Sequence, residues 1–269
     1  MLNEIQEKYF QQGFVTVKNI FDSESLDEVE YAIFKPFEVL SNVLNLGEWS
    51  KCITYDQKLL RLKELKDMDL KAYLSALRIS QNDPAILKIS SNKSLQKALQ
   101  AIGLKYPIVS LKPYPIILAS DIFIPEGYNI RPVHQEWPVM QGSHNGVVVW
   151  FPLHKVTQES SGIEIYPESH KLGVLPYEVS KCGSKITDEQ VNKLMPPKKI
   201  ELDRGDIVIF SAFSAHCSAG NSANLRVAMS IRFNDLESLS FAQRGYVDNS
   251  SFVINREPLD QNDHKFEHY

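Results

Sequence analysis

The apolar positions in the first hundred residues recur mostly with the spacing of helices. In the segment DSESLDEVEYAIF, Leu26, Val29 and Ile33 fall on one helical face. Asp22 or Ser23 precedes them, and either side chain can accept a hydrogen bond from the free N–H groups of a first helical turn. We therefore predict that the first third of the chain is mainly helical.

Two further segments of this region carry residues that begin and end helices. Asp83 stands before Pro84 in NDPAILKI, and a proline in the first turn of a helix interrupts no hydrogen bond. The segment SNKSLQKALQAIG ends in Gly103, which suits the carboxyl end of a helix. Between Gly13 and Asp22, the run FVTVKNIF predicts the one strand of this region.

The pattern changes at about Val109, where short β-branched or aromatic runs are separated by Gly, Pro, Asn and Ser. The runs are YPIILASDIFI, GVVVWFPL, GIEIYP, KKIEL, GDIVIFSAF and LRVAMSIRF. Such runs are typical of a β-barrel or a two-sheet jelly roll. An interruption at residues 174–197 contains TDEQVNKLM, in which Thr187 and Gln190 fit a capping box and predict an inserted helix.

These patterns predict one domain that is mainly β with a helical flank. We expect a helix-rich segment at residues 1–108, a jelly-roll, cupin-like core at 109–235 and a C-terminal tail at 236–269. With 269 residues, 43% of them apolar and 23% charged, the chain can bury one sizeable core.

The composition and the distribution of charged and apolar residues argue against several classes of protein. No run approaches the roughly 18 to 20 apolar residues of a membrane span, and MLNEIQEKYFQQGF lacks the layout of a secretory signal. A formal charge of −4 gives no basic excess for nucleic acid or an anionic membrane. The scattered Cys52, Cys182 and Cys217 favour reduced thiols over disulfides or a cysteine zinc site. We expect a cytoplasmic protein with a small-molecule substrate, and the sequence leaves its oligomeric state open.

A histidine and a carboxylate stand two residues apart in HQEW, at His134 and Glu136. Alternate residues of an extended segment face the same side, so both can point into one cavity. His216 follows the run GDIVIFSAF, where we expect the chain to leave a sheet again. Two imidazoles and one carboxylate with open positions form the facial triad of non-haem Fe(II) oxygenases.

The spacing along the chain also provides a cation that could reach a ligand of the metal. Arg226 lies ten residues beyond His216, in LRVAMSIRF. A strand that runs back from the metal could direct its guanidinium at the far carboxylate of a dicarboxylate bound to iron. Arginine suits that task because its planar fork binds carboxylate bidentately, and Arg232 is the alternative cation in the same run.

Four blocks of the sequence together resemble the phytanoyl-CoA dioxygenase family of Fe(II)/2-oxoglutarate-dependent oxygenases. They are YFQQGFVTVKNIFDSESLDEV, VHQEW, VWFPLHKVTQESSGIEIYPESHKLG and RGDIVIFSAFSAHCSAGNSANLRVAMSIRF, in family order from about residue 5 to 235. The resemblance implies a double-stranded β-helix, which is a jelly-roll variant. It also implies Fe(II) as cofactor, 2-oxoglutarate and O₂ as co-substrates, and ascorbate as a supporting reductant.

The resemblance also implies roles for individual residues. The iron ligands of the catalytic centre would be His134, Glu136 and His216. Arg226 would anchor the distal carboxylate of 2-oxoglutarate with help from Ser218, and Trp150 would line the same cavity. The family usually has aspartate where this chain has Glu136, which is one methylene longer but keeps the charge and the oxygen donors.

Other polar residues have simpler interpretations. We expect His170 to lie in a loop, to form local hydrogen bonds and to shape the mouth of the cavity. Cys217 faces the other side of an extended chain and is expected to be a small core residue. The basic cluster is expected to be a solvated sheet edge, with contact to an anionic substrate as the alternative; it comprises Lys198, Lys199 and Arg204.

The implied reaction is hydroxylation of an unactivated C–H bond of a small metabolite, with succinate and CO₂ as co-products. Related halogenases leave the carboxylate position empty, so Glu136 favours hydroxylation over halogenation. Two alternatives stay open: a catalytically silent ligand-binding relative, and a metal-dependent cupin-type enzyme that does not use 2-oxoglutarate. We expect the helical first third and the insertion at residues 177–195 to form the walls of the substrate pocket.

Overall fold

A computed structural model describes residues 2–120, 122, 131–180, 183–220 and 224–246. Most of the predicted C-terminal tail, residues 247–269, lies outside the described residues. Cys182 and part of the run YPIILASDIFI, namely residues 121, 123 and 124, also lie outside them. The division of the chain at residues 108 and 235 therefore stays a prediction.

The first third of the chain is mainly helical, as predicted. Its helices are α1 (Leu2–Gln12), α2 (Ser23–Val43), α3 (Tyr55–Met68), α4 (Leu70–Ser80), α5 (Pro84–Ile89) and α6 (Lys93–Ala101), with a short 3-10 helix at Trp49–Lys51. Asp22, rather than Ser23, caps α2, and its side chain accepts from the backbone N–H of Ser25 at 2.7 Å. No helix within the described ranges is long and apolar enough to cross a bilayer.

Strands predominate in the rest of the described chain. They are β1 (Phe14–Val17), β2 (Pro107–Leu118), β3 (Val147–Pro152), β4 (Gly162–Ile165), β5 (Tyr177–Ser180), β6 (Gly183–Ile186), β7 (Lys198–Lys199), β8 (Ile207–Ser211), β9 (His216–Ala219) and β10 (Arg226–Asp235). Short helices accompany them at α7 (Trp137–Met140), α8 (Asp188–Val191) and α9 (Leu239–Gln243). The predicted strand in FVTVKNIF is confirmed as β1.

The strands form two antiparallel sheets and one hairpin. The larger sheet has the order β1-β8-β3-β10-β2, the smaller has the order β7-β4-β9, and β5 pairs with β6. Alternate side chains of β3 point to opposite faces of the larger sheet and pack in two different apolar clusters. Val149 and Phe151 pack in the cluster that contains the helices, whereas Val148 and Trp150 pack with Ile163 of the smaller sheet. The larger sheet thus has the helices on one face and the smaller sheet on the other.

The strand predicted by the run YPIILASDIFI is displaced in the structure. β2 begins at Pro107 and ends at Leu118, and residues 119 and 120 are no longer extended in a sheet. Pro113 and Pro115 interrupt the sequence pattern, but β2 is an edge strand with one partner, β10. A proline on an edge can be placed where no ladder hydrogen bond is lost, so the strand continues through both.

The insertion at residues 174–197 contains more than the predicted helix. The hairpin of β5 and β6 precedes α8, and its two strands were not predicted. The helix itself is confirmed, but the predicted capping box is wrong because the side chain of Thr187 makes no capping hydrogen bond. None of the residues of α8 is buried, so water can satisfy the free N–H groups of this single turn.

Candidate metal and co-substrate site

His134 and His216 lie opposite each other on neighbouring extended segments. The backbone N–H of each donates to the carbonyl of the other at 3.0 Å. Their ring centroids are 4.2 Å apart. The chain leaves the larger sheet after β8, as predicted, but His216 then begins β9 of the smaller sheet, a strand that was not predicted.

Both imidazoles are held through Nδ1. That atom lies 2.8 Å from the carbonyl oxygen of Pro132 in His134, and 3.0 Å from the carbonyl oxygen of Ser214 in His216. A carbonyl only accepts, so each neutral ring carries its proton on Nδ1 and keeps a lone pair on Nε2. Both Nε2 atoms lie 3.7 Å from the same oxygen, Oε1 of Glu136.

Glu136 directs this oxygen from the start of a helix. Its φ and ψ are −80° and −20°, and it immediately precedes α7. The expectation that the chain stays extended from His134 to Glu136 is therefore wrong at Glu136, where the backbone turns. The three side chains nevertheless offer one donor atom each within 4.8 Å of one another, and all three residues are buried.

Gln135, between these two residues, fixes the segment in place. Its side-chain amide N–H group donates to the carbonyls of Gly173 and Phe213 at 2.8 and 2.6 Å. Its Oε1 accepts from the backbone N–H of Leu175 at 2.9 Å. This role could not be predicted from the sequence, because all three partners lie far along the chain from Gln135. The buried amide thus ties the HQE segment to the chain that follows β4 and to the turn that precedes β9.

Arg232 binds the carboxylate of Glu136 through two hydrogen bonds. Its Nε donates to Oε2 at 2.8 Å and its Nη2 donates to Oε1 at 3.0 Å. This pair was not predicted, because the sequence indicated Arg232 only as an alternative anchor for the co-substrate. The sequence did contain a signal for it. Alternate residues of a strand face the same side, so Arg232 could have been expected on the face of β10 that carries Arg226, and residues 226, 230 and 232 do line the cavity.

The electrostatics of the cluster favour a cation. Burial alone would raise the pKa of Glu136, but the charge of Arg232, together with its two hydrogen bonds and the nearby imidazoles of His134 and His216, holds it well below its usual range. Burial, together with the neighbouring His134, lowers the pKa of His216 to about 4. At neutral pH the cluster therefore presents an ionised carboxylate and an uncharged His216, the states in which these groups coordinate metals.

Arg226 lies at another part of the same cavity, at the start of β10. Its side chain is buried, its Nη1 donates to the carbonyl of Gly162, and its guanidinium carbon lies 5.8 Å from the ring centroid of Trp150. Burial lowers its pKa to about 10, so it stays a cation at neutral pH. Within the described residues it has no acidic partner, and its buried Nε has no hydrogen-bond partner.

Ser218 completes this part of the cavity from β9. Its Oγ accepts from the backbone N–H of Arg131 at 3.2 Å, which leaves its own O–H able to donate. The structure thus brings all six of the predicted site residues to one cavity, and they are His134, Glu136, Trp150, His216, Ser218 and Arg226.

The cavity encloses about 600 Å³, including its open mouth. Its remaining described lining comprises Tyr114, Ile116, Arg131, Gly162, Ile163, Phe210, Cys217, Ser230 and Arg232. That the helical first third and residues 177–195 form the walls of the substrate pocket stays a prediction, but none of the described residues that line this cavity comes from those segments. Both sheets supply the walls instead, because the site lies between them.

Three secondary predictions have mixed outcomes. His170 is fully buried, its Nε2 lies 3.0 Å from the carbonyl of Phe10, and it does not line the cavity, so its predicted place at the mouth is wrong. Cys217 packs partly buried in an apolar cluster and its thiol donates to Glu164 at 3.7 Å. Lys198 and Lys199 form the predicted sheet edge as β7, whereas Arg204 pairs with Asp27 at 2.6 Å.

Comparison with known proteins identifies the family. Residues 9–227 match the family model described as phytanoyl-CoA dioxygenase (PhyH). The chain belongs to the phytanoyl-CoA dioxygenase family of Fe(II)/2-oxoglutarate-dependent oxygenases. The family match confirms the resemblance that the four sequence blocks indicated. A comparison with curated protein sequences finds no match.

Several solved structures share the fold. The non-heme monooxygenase ThoJ, as a nickel complex, aligns with a TM-score of 0.57 at 15% identity over 86% of this chain and 77% of ThoJ. EctD from S. alaskensis, with 2-oxoglutarate and 5-hydroxyectoine, gives 0.57 at 10% identity over 87% and 76%. AviO1 from Streptomyces viridochromogenes Tue57 gives 0.51 at 13% identity over 88% and 96%. At these identities the similarity establishes the fold, and it confirms the predicted jelly roll.

Proposed function

We propose that this protein hydroxylates an unactivated C–H bond of a small metabolite with Fe(II), 2-oxoglutarate and O₂. In this proposal His134, Glu136 and His216 hold the ion, and Arg226 and Ser218 hold the distal carboxylate of 2-oxoglutarate. One observation carries it: a three-donor cluster and a buried arginine without an acidic partner among the described residues line the same cavity.

The three donors fit a non-haem iron ion. Two imidazole nitrogens and one carboxylate oxygen converge within 4.8 Å of one another. Nitrogen and oxygen donors in this ratio, with open positions left over, are the ligand set of non-haem Fe(II) oxygenases. When bound, the ion would supply the oxidising chemistry that couples conversion of 2-oxoglutarate to succinate and CO₂ with oxygen insertion.

The cavity also fits a dicarboxylate. A buried cation is costly unless an anion compensates it, and Arg226 has no such anion among the described residues. A bound carboxylate would satisfy its orphan Nε and could accept from the O–H of Ser218. The fork of the guanidinium and the single hydroxyl would fix the far end of the co-substrate, which sets the direction of its other end.

The chain's own residues would prepare the site before any ligand arrives. The Nδ1 hydrogen bonds hold both imidazoles with Nε2 directed at Oε1 of Glu136, so little side-chain order has to be gained on metal binding. Trp150, Phe210 and Ile163 form apolar parts of the wall and limit the water around these charges.

Two measurements test this proposal. Anaerobic addition of Fe(II) and then 2-oxoglutarate should give the weak visible charge-transfer band of an iron–2-oxoglutarate chelate. Admission of O₂, with ascorbate present, should then give slow formation of succinate even without the substrate. Metal binding without the band would favour a cupin-type enzyme that does not use 2-oxoglutarate. The band without succinate under any metal condition would favour a catalytically silent relative.

A further inference from the structure

We infer that Arg232 is a positioning residue that holds Glu136 as a ligand through one oxygen. This inference rests on the proposed metal site and adds a residue to it. Arg232 binds both carboxylate oxygens of Glu136, yet the two oxygens differ in their surroundings. Oε1 also lies 3.7 Å from the Nε2 atoms of His134 and His216, whereas Oε2 has the shorter, 2.8 Å bond to Nε of Arg232.

The side-on pairing fixes the rotation of the carboxylate. Two parallel N–H···O bonds keep the carboxylate roughly in the plane of the guanidinium. Oε1 keeps a lone pair that is not used by Nη2, and this lone pair can serve a cation beside the two imidazoles. Chelation of that cation by both oxygens would use the two lone pairs that face the fork of Arg232, so it would require the pair with Arg232 to break. The pair therefore favours one-oxygen ligation, which leaves the remaining coordination positions for co-substrates.

The length of Glu136 makes such a constraint useful. Glutamate has one more rotatable bond than the aspartate usual at this position, and without a partner its carboxylate could chelate with both oxygens or swing away. Arg232 lies on β10 in register with Val148 of β3, so its backbone is fixed in the middle of the larger sheet. The side chains of Arg232 and Glu136 are 13% and 7% exposed, and a buried bidentate pair resists rotation.

A merely electrostatic role predicts the opposite result. A cation next to the ligands repels a metal ion, so its removal would tighten metal binding if charge were its only effect. A positioning role predicts weaker binding when Arg232 is lost, because outer partners of metal ligands typically contribute about 10- to 100-fold to affinity or activity. Lysine separates the two roles further, since it keeps the charge but lacks the fork.

The test is anaerobic titration with Co(II), followed through its ligand-field absorption, on folded protein. Arg232→Met is expected to weaken Co(II) binding by about 10- to 100-fold and to change the intensity of the Co(II) bands. Arg232→Lys is expected to recover only part of the affinity. Arg204→Met, which removes a surface arginine paired with Asp27, is the matched control and should bind like the wild type.

A double-mutant cycle with Glu136→Asp shows whether Arg232 acts through Glu136. The shorter side chain cannot satisfy Arg232 and the metal together as Glu136 does, so Glu136→Asp should weaken Co(II) binding in the wild-type background. In the Arg232→Met background the same change should cost about twofold or less, which is a non-additive result. Should Arg232→Met fail to fold, Arg232→Lys and its double variant provide the same cycle.

The outcomes separate this inference from the proposed function. Wild-type protein that binds no Co(II) would overturn both. Wild-type binding with equal or tighter binding by Arg232→Met would overturn the positioning role alone, as would strictly additive effects in the cycle. Loss of thermal stability in the Arg232 variants with unchanged Co(II) affinity and spectrum would assign Arg232 a structural role instead.

Discussion

Two arginines on the same face of β10 line the same cavity, but their guanidinium groups have different partners. Arg232 makes a complete bidentate pair with Glu136. Arg226 donates to one backbone carbonyl and has no acidic partner among the described residues. Arg226 is buried and the side chain of Arg232 is only 13% exposed, so their environments differ mainly in chemistry rather than in exposure to water.

The difference supports the proposal that Arg232 orients a side chain of the protein, whereas Arg226 binds a ligand. The charge of Arg232 is compensated within the chain, and its fork can therefore orient Glu136. The charge of Arg226 is compensated by nothing that the described chain provides, and a buried charge in this condition is stable only at a cost. An anionic ligand that reaches Arg226 would remove this cost. We therefore propose that the carboxylate of the co-substrate binds at Arg226.

The largest effect is expected when one of the proposed metal ligands is removed. His216→Gln keeps a buried polar side chain of similar size and removes one imidazole donor, so metal-dependent succinate formation should be lost. Succinate measured by mass spectrometry, with circular dichroism to verify folding, checks this outcome. His170→Gln is the matched control, because that histidine is buried but lies outside the cavity. Full activity in the His216 variant would refute the triad.

The role of Glu136 as a metal ligand predicts which product forms, a hydroxylated or a halogenated one. Its charge and oxygen donors occupy the place where a halide would bind in a halogenase, so the product should carry an added oxygen even in excess chloride. Glu136→Ala should lose hydroxylation. Once a substrate is known, mass spectrometry of the product formed in high chloride provides the measurement. A chlorinated product from the unmodified protein would contradict the proposed hydroxylation.

A smaller effect is expected when Arg226, the arginine without an acidic partner among the described residues, is replaced. Arg226→Ala should weaken 2-oxoglutarate binding by about 2 to 5 kcal/mol, the usual cost of losing one partner of a buried charged pair. Arg226→Lys should recover part of it, since lysine keeps the charge without the fork. The half-saturating concentration of 2-oxoglutarate for the charge-transfer band measures both, and Arg204→Ala is a control on the surface. Unchanged affinity would assign the anchor to another cation of the cavity, such as Arg131.

The smallest effect concerns the stability of the metal-free protein. The pKa of His216 is about 4 in the folded chain, below its usual value of 6.5, so the unfolded chain takes up this proton first as the pH falls. The free energy of unfolding should decrease between those values, by on the order of 1 to 3 kcal/mol for this residue. Glu136, with its lowered pKa, continues the decrease below its usual value of 4.5.

Urea unfolding from pH 7 to pH 4.5 measures this change. His216→Gln has no imidazole to protonate at this position, so its unfolding free energy should fall less steeply than that of the wild type over the same range. Equal slopes for the two proteins would mean that other groups cause the acid sensitivity.

The sequence could predict which residues meet, but not how they are held. The family-like blocks brought His134, Glu136, His216 and Arg226 together because strand order and spacing determine which side chains reach one cavity. The pairing of Arg232 with Glu136 could not be predicted, since it depends on a helical turn at Glu136 that the local pattern does not reveal. Local patterns failed for the same reason at β9 and in the hairpin of β5 and β6, where pairing partners rather than propensity fix the structure.

The reciprocal backbone hydrogen bonds of His134 and His216 join two parts of the chain that are separated by β3 to β8. An ion bound by both imidazoles would fasten the chain again at this point and close a long loop, much as a disulfide does. Because the unfolded chain offers no such arrangement of donors, loading would also lower the fraction of molecules that open. The metal would then act as a reversible cross-link between β9 and the segment that contains His134 and Glu136, and its supply would help to set the lifetime of the fold.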